Sequence, residues 1–374
     1  MKYRTFPKLP DVKLSQFGMG LMRLPVLGDD HSKIDKEAAA KMVDAAIAGG
    51  VNYFDTAHPY HGGASQRFAA EYIVPRLKKD GLHLATKLPQ WDAKKYEDYD
   101  RILNEQLEIL GLKQIEFYLI HALGNGSWER HKKEGVLDFL DKAVADGRIK
   151  YPCFSFHGSY DIFTDIIDSY DKWVFAQIQL NYVDENVQAG VKGLKYAAAH
   201  DVGVVIMEPL KGGMLVNNLP PDVAKIFSEK EMDPVEAAMK WCYSFKEATV
   251  VLSGVSTLEQ AKGQIAIADS AEAGELDPVE ADAIEFARDN FDLVPCSACE
   301  YCQPCSFGVK IPAIISMYNG YVVFGRENAK KDYQRLVSEG GGADQCTECG
   351  ACEDICPQSI KIIDVLKQAH EAMA

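Results

Sequence analysis

The sequence predicts an α/β protein, a closed (β/α)8 TIM barrel followed by a small, helical, cysteine-rich domain, on the strength of three observations. Between about residues 15 and 270, eight short apolar, β-rich runs alternate with longer stretches of helical period, the pattern of repeated βα units. No GxGxxG follows the first run, which sets a closed barrel above a doubly wound open sheet. Eight of the ten cysteines then crowd between Cys296 and Cys356.

The candidate strands are 17–22, 51–55, 82–87, 115–121, 149–155, 174–180, 202–207 and 250–253. Several are unbroken apolar runs, such as Val202 Gly203 Val204 Val205 Ile206 Met207, which suits strands buried on both faces of a parallel sheet. Between them lie helices with one apolar stripe each: Leu103, Leu107 and Leu110 fall at i, i+4 and i+7, and Val136, Leu140 and Val144 repeat every four residues. After Ala271 the chain becomes acidic and helical over 278–291 before the cysteine-rich segment. The expected boundary lies near 285, with a barrel over 1–285 and a small α-helical domain over 286–374. A barrel of roughly 250 residues or more plus a smaller unit fits the 374 residues available.

Hydrophobic residues make up 47% and charged residues 25%, enough for a large core. A net charge of −15 without a basic stripe argues against nucleic acid and anionic membrane as partners, leaving small molecules and proteins. The opening MKYRTFPKLP has no apolar export region, and no later run is long enough to span a bilayer, so a cytoplasmic location is expected. In that compartment crowded cysteines read as metal ligands and not as disulfides.

Cys346, Cys349, Cys352, Cys356 and Pro357 form a CxxCxxCxxxCP run. In the bacterial ferredoxin arrangement, three thiolates wrap one 4Fe-4S cluster and the fourth reaches a second cluster, so a matching run is required. Cys296, Cys299, Cys302 and Cys305 supply it. On this rule Cys296, Cys299 and Cys302 take Cys356 as fourth ligand, and Cys346, Cys349 and Cys352 take Cys305. The first run departs from the rule at its end, with a two-residue gap before Cys305 and Ser306 in place of proline. Four-thiolate zinc sites are the alternative. Cys153 and Cys242 stand apart in barrel elements and read as inert buried thiols.

Catalytic groups of such barrels sit at the C-terminal ends of strands and in the loops that follow. Asp55, Lys87 and His121 each close an apolar run, and Tyr60 lies in the loop after Asp55. A phenol beside a lysine ammonium that is held by a carboxylate can be made acidic enough to donate a proton near neutrality, and a histidine can orient a carbonyl. His58, His61, Trp91 and Trp128 lie in the loops after these strands and read equally as pocket or rim residues. His157 follows Ser155 at a strand end, whereas His83, His131 and His200 carry no chemical reading.

From about residue 12 to 270 the chain resembles the aldo/keto reductase family, whose tetrad is Asp, Tyr, Lys and His in this order. The matching segments are Asn52 to Ala57 with Tyr60, Ala85 to Lys87, and Tyr118 to His121. Four further segments resemble the branch with a C-terminal ferredoxin-like domain: FSFHGS from Phe154, QIQLNYVD from Gln177, MEPLKGG from Met207 and LSGVSTLEQ from Leu252. The resemblance implies hydride transfer from NADPH or NADH to a carbonyl with Tyr60 as proton donor. It implies nucleotide contacts from Ser155, Gln177, Met207, Pro209, Leu210, Lys211, Gly213, Ser253, Gly254, Ser256, Gln260 and Gln264. Against the usual pattern, Met207 replaces an aromatic, Phe156 an Asn, Ser256 an Arg that would neutralise a 2′-phosphate, and Gly263 with Gln264 a Glu-Asn pair.

A hydride carries two electrons and a 4Fe-4S cluster passes one, so coupling the halves requires a flavin, a radical-tolerant substrate or another converter. No flavin-specific motif is present in the sequence. The expected partners are a small carbonyl substrate and a ferredoxin or other redox protein; the competing reading is an electron-transfer or docking module that uses the barrel as a scaffold.

Overall fold

The computed structural model describes residues 1–374 other than 29, 218, 275, 292, 297, 299 and 323–325. It divides into two compact units, Met1–Pro209 with Met239–Leu276, and Leu210–Ala238 with Asp277–Ala374.

The first unit opens with an antiparallel hairpin, β1 (Tyr3–Phe6) and β2 (Leu9–Ser15). Eight parallel strands follow: β3 (Phe17–Gly20), β4 (Tyr53–Asp55), β5 (His83–Leu88), β6 (Ile115–Leu123), β7 (Ile149–Phe156), β8 (Phe175–Gln179), β9 (Gly203–Met207) and β10 (Ala248–Gly254). Each pairs with its neighbour in sequence, and β10 pairs with β3 to close the cylinder. These are the eight runs expected, shifted by a residue or two at their ends. Helix Tyr96–Leu110 buries Leu103, Leu107 and Leu110 as its spacing predicts. On helix Val136–Ala145 the buried stripe takes Val136, Leu140 and Ala143, with Val144 only half-buried.

Inside the cylinder, Tyr53, Ala85, Phe117, Leu119, Cys153, Phe175, Val205, Val250 and Leu252 form one cluster with Phe6 and Leu14 of the hairpin. The Phe6 ring stacks on Phe175 at 4.9 Å and meets Phe117 edge-on at 5.9 Å. Gly203 makes room for it: a Cβ there would sit 2.2 Å from the ring. The Arg4 guanidinium ties the hairpin down by donating to the carbonyls of Tyr243, Phe245 and Ala248 at 2.6, 2.9 and 2.6 Å. Nothing in the sequence marks the hairpin, because LPDVKLS interleaves apolar and polar residues and β1 is only four residues long.

The second unit, taken by itself, is built from helices. Pro278–Asp289 is the expected acidic helix, capped by Asp277, whose carboxylate accepts the amides of Val279 and Glu280. Ile311–Val322, Glu327–Ser338 and Ile362–Met373 enclose a core of Ile311, Ile314, Ile315, Tyr333, Ile362, Leu366, Ala369 and Met373. The Tyr333 hydroxyl accepts the Ala343 amide at 3.3 Å and lies 2.8 Å from His370 Nδ1. Among the described residues of the chain no helix is long and apolar enough to cross a membrane.

Candidate active site and cysteine-lined cavities

Side chains along a strand alternate between its two faces, so a residue two places beyond an interior one also points inward, one layer higher. Asp55, Lys87, His121, Ser155, Gln177 and Met207 each stand two places after a member of the interior cluster: Tyr53, Ala85, Leu119, Cys153, Phe175 and Val205. The barrel's own period therefore carries these six side chains to its C-terminal rim.

Three of the four tetrad residues are in direct contact. Lys87 Nζ donates to Asp55 Oδ1 at 2.5 Å and to the Thr56 carbonyl at 2.9 Å, and lies 3.3 Å from Tyr60 Oη. Lys87 has no exposed surface and Asp55 only 2%. Burial pulls Lys87 down and Asp55 up from their ordinary values, and the attraction between the two charges opposes both shifts. Breaking such a pair by removing one member leaves the other charge uncompensated, at a cost of about 3–5 kcal/mol. The His121 ring stands edge-on to Tyr60 at 6.0 Å, with Trp91 tilted against it at 5.0 Å. Burial, then the Lys87 charge, then His157 and His58 hold His121 well below its ordinary value, so it is neutral at pH 7. A neutral imidazole can donate a hydrogen bond to a carbonyl oxygen without competing for its proton.

Residues that the sequence did not mark hold this layer in place. Gln106 Nε2 donates to the Lys87 carbonyl at 2.8 Å, and its oxygen accepts from Tyr118 Oη at 2.6 Å. After His121 the pairing of β6 with β7 slips, Ala122 takes a left-handed φ of 51°, and the Ala122 amide donates to Ser155 Oγ at 2.7 Å. Gln106 sits inside an ordinary amphipathic helix, so the sequence signal for it is a polar residue on the buried stripe.

Of the residues implied to bind nucleotide, Ser155 and Gln177 are paired in register on β7 and β8, and Gln177 Nε2 lies 3.4 Å from Met207 Sδ. Gln177 Oε1 is buried without a hydrogen-bond partner. An orphaned acceptor of this kind costs about 1–3 kcal/mol, and a carboxamide NH2 group would satisfy it. Phe156 instead packs in the core, edge-on to Phe163 at 5.1 Å. Ser253 and Gly254 end β10. The Ser256 amide donates to Gln260 Oε1 and its hydroxyl to the Arg23 carbonyl, both at 2.8 Å, so the chain itself occupies these groups. Gln264, on helix Leu258–Ser270, is buried with an unpartnered Oε1. Pro209 ends the first stretch of the barrel unit, whereas Leu210, Lys211 and Gly213 belong to the second unit. There Lys211 is buried in a short turn with φ of 47°, followed by Gly213 at 91°.

The remaining ring systems sort themselves by their partners. His61 accepts the Leu24 amide at Nε2, 3.1 Å away, and its Nδ1 lies 2.7 Å from the His31 carbonyl, which makes it a brace for the loop. Trp128 is buried and donates to Asp165. His131 is buried between Tyr99 and Gln90, and burial lowers it to about 4. His83 pairs with Glu116 at 2.9 Å, and His200 is exposed beside the Tyr196 carbonyl. Burial pushes the thiols of Cys153 and Cys242 far up, as befits inert core residues.

In the second unit the cysteines line two cavities. One is bordered by Cys302, Cys305, Cys346, Cys349 and Cys352 with Val309, Ile311, Ile355 and Leu366. The other is bordered by Cys296, Cys302 and Cys356 with Ile311, Ile315, Pro357, Ile360 and Ile362. Cys305 thus stands with the second run and Cys356 with the first; Cys299 lies outside the described residues. Burial, reinforced by Cys296 and Cys356, raises the Cys302 thiol to about 11. Among the described residues no three His, Cys, Asp or Glu side chains converge tightly enough to hold a single metal ion.

Comparison with known proteins agrees in outline. The aldo/keto reductase family matches residues 16–285, and a 4Fe-4S dicluster domain matches residues 295–360. An aldo-keto reductase of Mycobacterium avium is 26% identical over 77% of this chain and 93% of its own length. L-galactose dehydrogenase of Arabidopsis thaliana is 24% identical over 68% of this chain and 84% of its own. The holo form of an aldo-keto reductase from Bacillus halodurans superposes with a TM-score of 0.63 at 22% identity, covering 77% of this chain and 96% of that one, a likeness of fold.

Proposed function

The chain belongs to the aldo/keto reductase family and carries a 4Fe-4S domain, and on that premise we propose that it reduces a small carbonyl substrate with NADPH or NADH in the cytoplasm. The observation that carries this reading is the buried Lys87–Asp55 pair with Lys87 Nζ 3.3 Å from Tyr60 Oη. When bound, the nicotinamide supplies the hydride that the carbonyl carbon receives. Tyr60 gives its phenolic proton to the carbonyl oxygen, so that C=O becomes CH–OH. The Lys87 ammonium, fixed by Asp55, stabilises the phenolate left behind, and neutral His121 orients the carbonyl. Ser155 and Gln177 would hold the carboxamide, the orphaned Gln177 oxygen accepting from its NH2 group. With Ser256 where an arginine would neutralise a 2′-phosphate, the two nucleotides are to be compared directly.

The same proposal divides the chain near residue 285 and gives the segment 286–374 two 4Fe-4S clusters. Cys305, Cys346, Cys349 and Cys352 would hold one; Cys296, Cys302 and Cys356, with Cys299 on its spacing, the other. The two cavities support this partition, since each gathers cysteines from both runs. Clusters there supply one-electron transfer to or from a ferredoxin or other redox protein, with a flavin as one way to convert between two electrons and one.

The test is anaerobic purification of the full chain with iron, sulfide, zinc, flavin and bound nicotinamide measured together, followed by carbonyl-dependent oxidation of NADPH and NADH. Tyr60→Phe should abolish that oxidation and leave cluster absorbance as it was. Undiminished turnover in Tyr60→Phe would remove the proton donor, and zinc in place of iron and sulfide would remove the clusters.

A further inference from the structure

His61 adjoins Tyr60 in a turn whose backbone a side chain disfavours. Its φ is 53°, in the left-handed region, and Gly62 and Gly63 follow at 59° and 88°. Glycine adopts that conformation freely and histidine does not, so the surroundings must hold His61 in it. The ring does this: it is nearly buried and is bonded at both nitrogens to the loop after β3.

The partners fix every hydrogen of that contact. A backbone N–H only donates, so Nε2 accepts the Leu24 amide at 3.1 Å, and Nδ1 carries the ring hydrogen and donates to the His31 carbonyl at 2.7 Å. Burial holds the ring below its ordinary value against the opposing pull of the His31 carbonyl, and leaves it neutral at pH 7. The Leu24 amide belongs to the same peptide group as the Arg23 carbonyl, and that carbonyl accepts the Ser256 hydroxyl at 2.8 Å. Hydroxyl, peptide group, imidazole and carbonyl thus form one chain whose hydrogens all point the same way, from Ser256 to His31. Bonds in such a chain polarise one another. Alongside it the Ser65 hydroxyl donates to the Leu21 carbonyl at 3.0 Å and the Leu21 amide to the Asp55 carbonyl at 2.8 Å, which fastens the near end of the same loop.

A single peptide plane therefore joins the turn after β10 to the turn that bears Tyr60. We propose that His61 is a positioning residue for Tyr60, and that the Arg23–Leu24 peptide group couples it to the Ser256 turn. This rests on the reductase reading above, which makes Tyr60 the proton donor and Ser256 a nucleotide contact. Without the bond from Leu24 to the ring, the turn is free to relax from its left-handed backbone, and the phenol shifts against Lys87 Nζ, 3.3 Å away.

His61→Asn isolates the bond in question: asparagine tolerates positive φ, and its NH2 group can stand in for Nδ1 towards the His31 carbonyl, but it has no atom in place of Nε2. In the full-length holoprotein, hydrogen exchange followed by mass spectrometry should show the Leu24 amide exchanging about tenfold faster in this variant. With 4-nitrobenzaldehyde and saturating NADPH or NADH, whichever the protein oxidises, kcat should fall about tenfold while the nucleotide Kd and the aldehyde KM stay within about twofold. Ser256→Ala should lower kcat about threefold in the wild type and by no further factor in His61→Asn, since both cut the same chain. His61→Gly, which adopts the turn without strain and lacks the ring, repeats the test if His61→Asn misfolds. An unchanged kcat with the Leu24 amide released overturns the positioning role, and factors that multiply in the double variant overturn the coupling. Failure of the wild type to oxidise either nucleotide with the aldehyde overturns the reductase reading instead, and the exchange measurement, which needs no turnover, tells the two failures apart.

Discussion

In the barrel, Lys87 and Asp55 are already paired by the chain, and the Thr56 carbonyl and Tyr60 hydroxyl complete the ammonium's surroundings. In the second unit, Cys302, Cys305, Cys346, Cys352 and Cys356 pack against an apolar core and line cavities. The first arrangement is held by the chain's own opposite charges and hydrogen bonds in a buried setting, with Asp55 Oδ2 the one oxygen of the pair left without a hydrogen-bond partner. On the proposal above the second is built around clusters, which would give sulfur from distant turns a reason to assemble. The difference separates the two halves experimentally: barrel variants should act on turnover and fold stability, and cysteine variants on iron content. All four tryptophans lie in the barrel unit, so fluorescence reports that unit selectively.

The strongest way to break this contrast is Lys87→Met, which removes the group proposed to tune Tyr60. Turnover should fall by about a thousandfold with iron per chain unchanged, as steady-state kinetics and iron analysis would show. Asp55→Asn comes next. It leaves the Lys87 ammonium buried without its counter-charge, and urea unfolding followed by fluorescence should register a loss of about 3–5 kcal/mol. Cys349→Ser should remove about half of the iron, one of the two proposed clusters, while the tryptophan-reported midpoint holds. A midpoint that shifted as far as in Asp55→Asn would show that the two halves are not separable in this way.

The smallest effect is one of pH. His131 is held to about 4 in the folded barrel against 6.5 for an ordinary histidine. Its stabilising contribution is complete above pH 6.5 and is lost as the pH falls towards 4, since only the unfolded chain takes up the proton. At pH 5 the loss should be about 2 kcal/mol relative to pH 7.5, with buried His121 acting in the same direction. Urea midpoints equal at the two pH values would refute it.

What the sequence discloses follows from which forces act locally. The eight barrel strands are legible because most of their residues are buried, so that several read as unbroken apolar runs, Gly203–Met207 most plainly. Asp55, Lys87 and His121 are legible as polar residues closing such runs. Ser155, Gln177 and Met207 are visible through family resemblance, and the alternation of inward positions gives an independent reason for them. The hairpin escapes because only Phe6 and Leu14 of it are fully buried in the core cluster, with Leu9 and Val12 packed against it partly exposed. The polar group of Gln179, Asn181, Asp184 and Gln188 escapes for a different reason: its members are near one another in sequence, but nothing in their spacing shows which turn towards each other or that Gln188 reaches back to His157.

Phe6 has a consequence for the whole electrostatic design. Wedged between Phe175 and Phe117 beneath the ionised layer, its ring acts as a stopper that keeps solvent from rising through the bore of the cylinder. The strength of the Lys87–Asp55 attraction depends on that seal, because water entering from below would screen the pair long before any strand came apart. Phe6→Ala would then behave as a slow leak: a chain that still folds, but whose phenol has lost part of the acidity that a dry neighbour lends it.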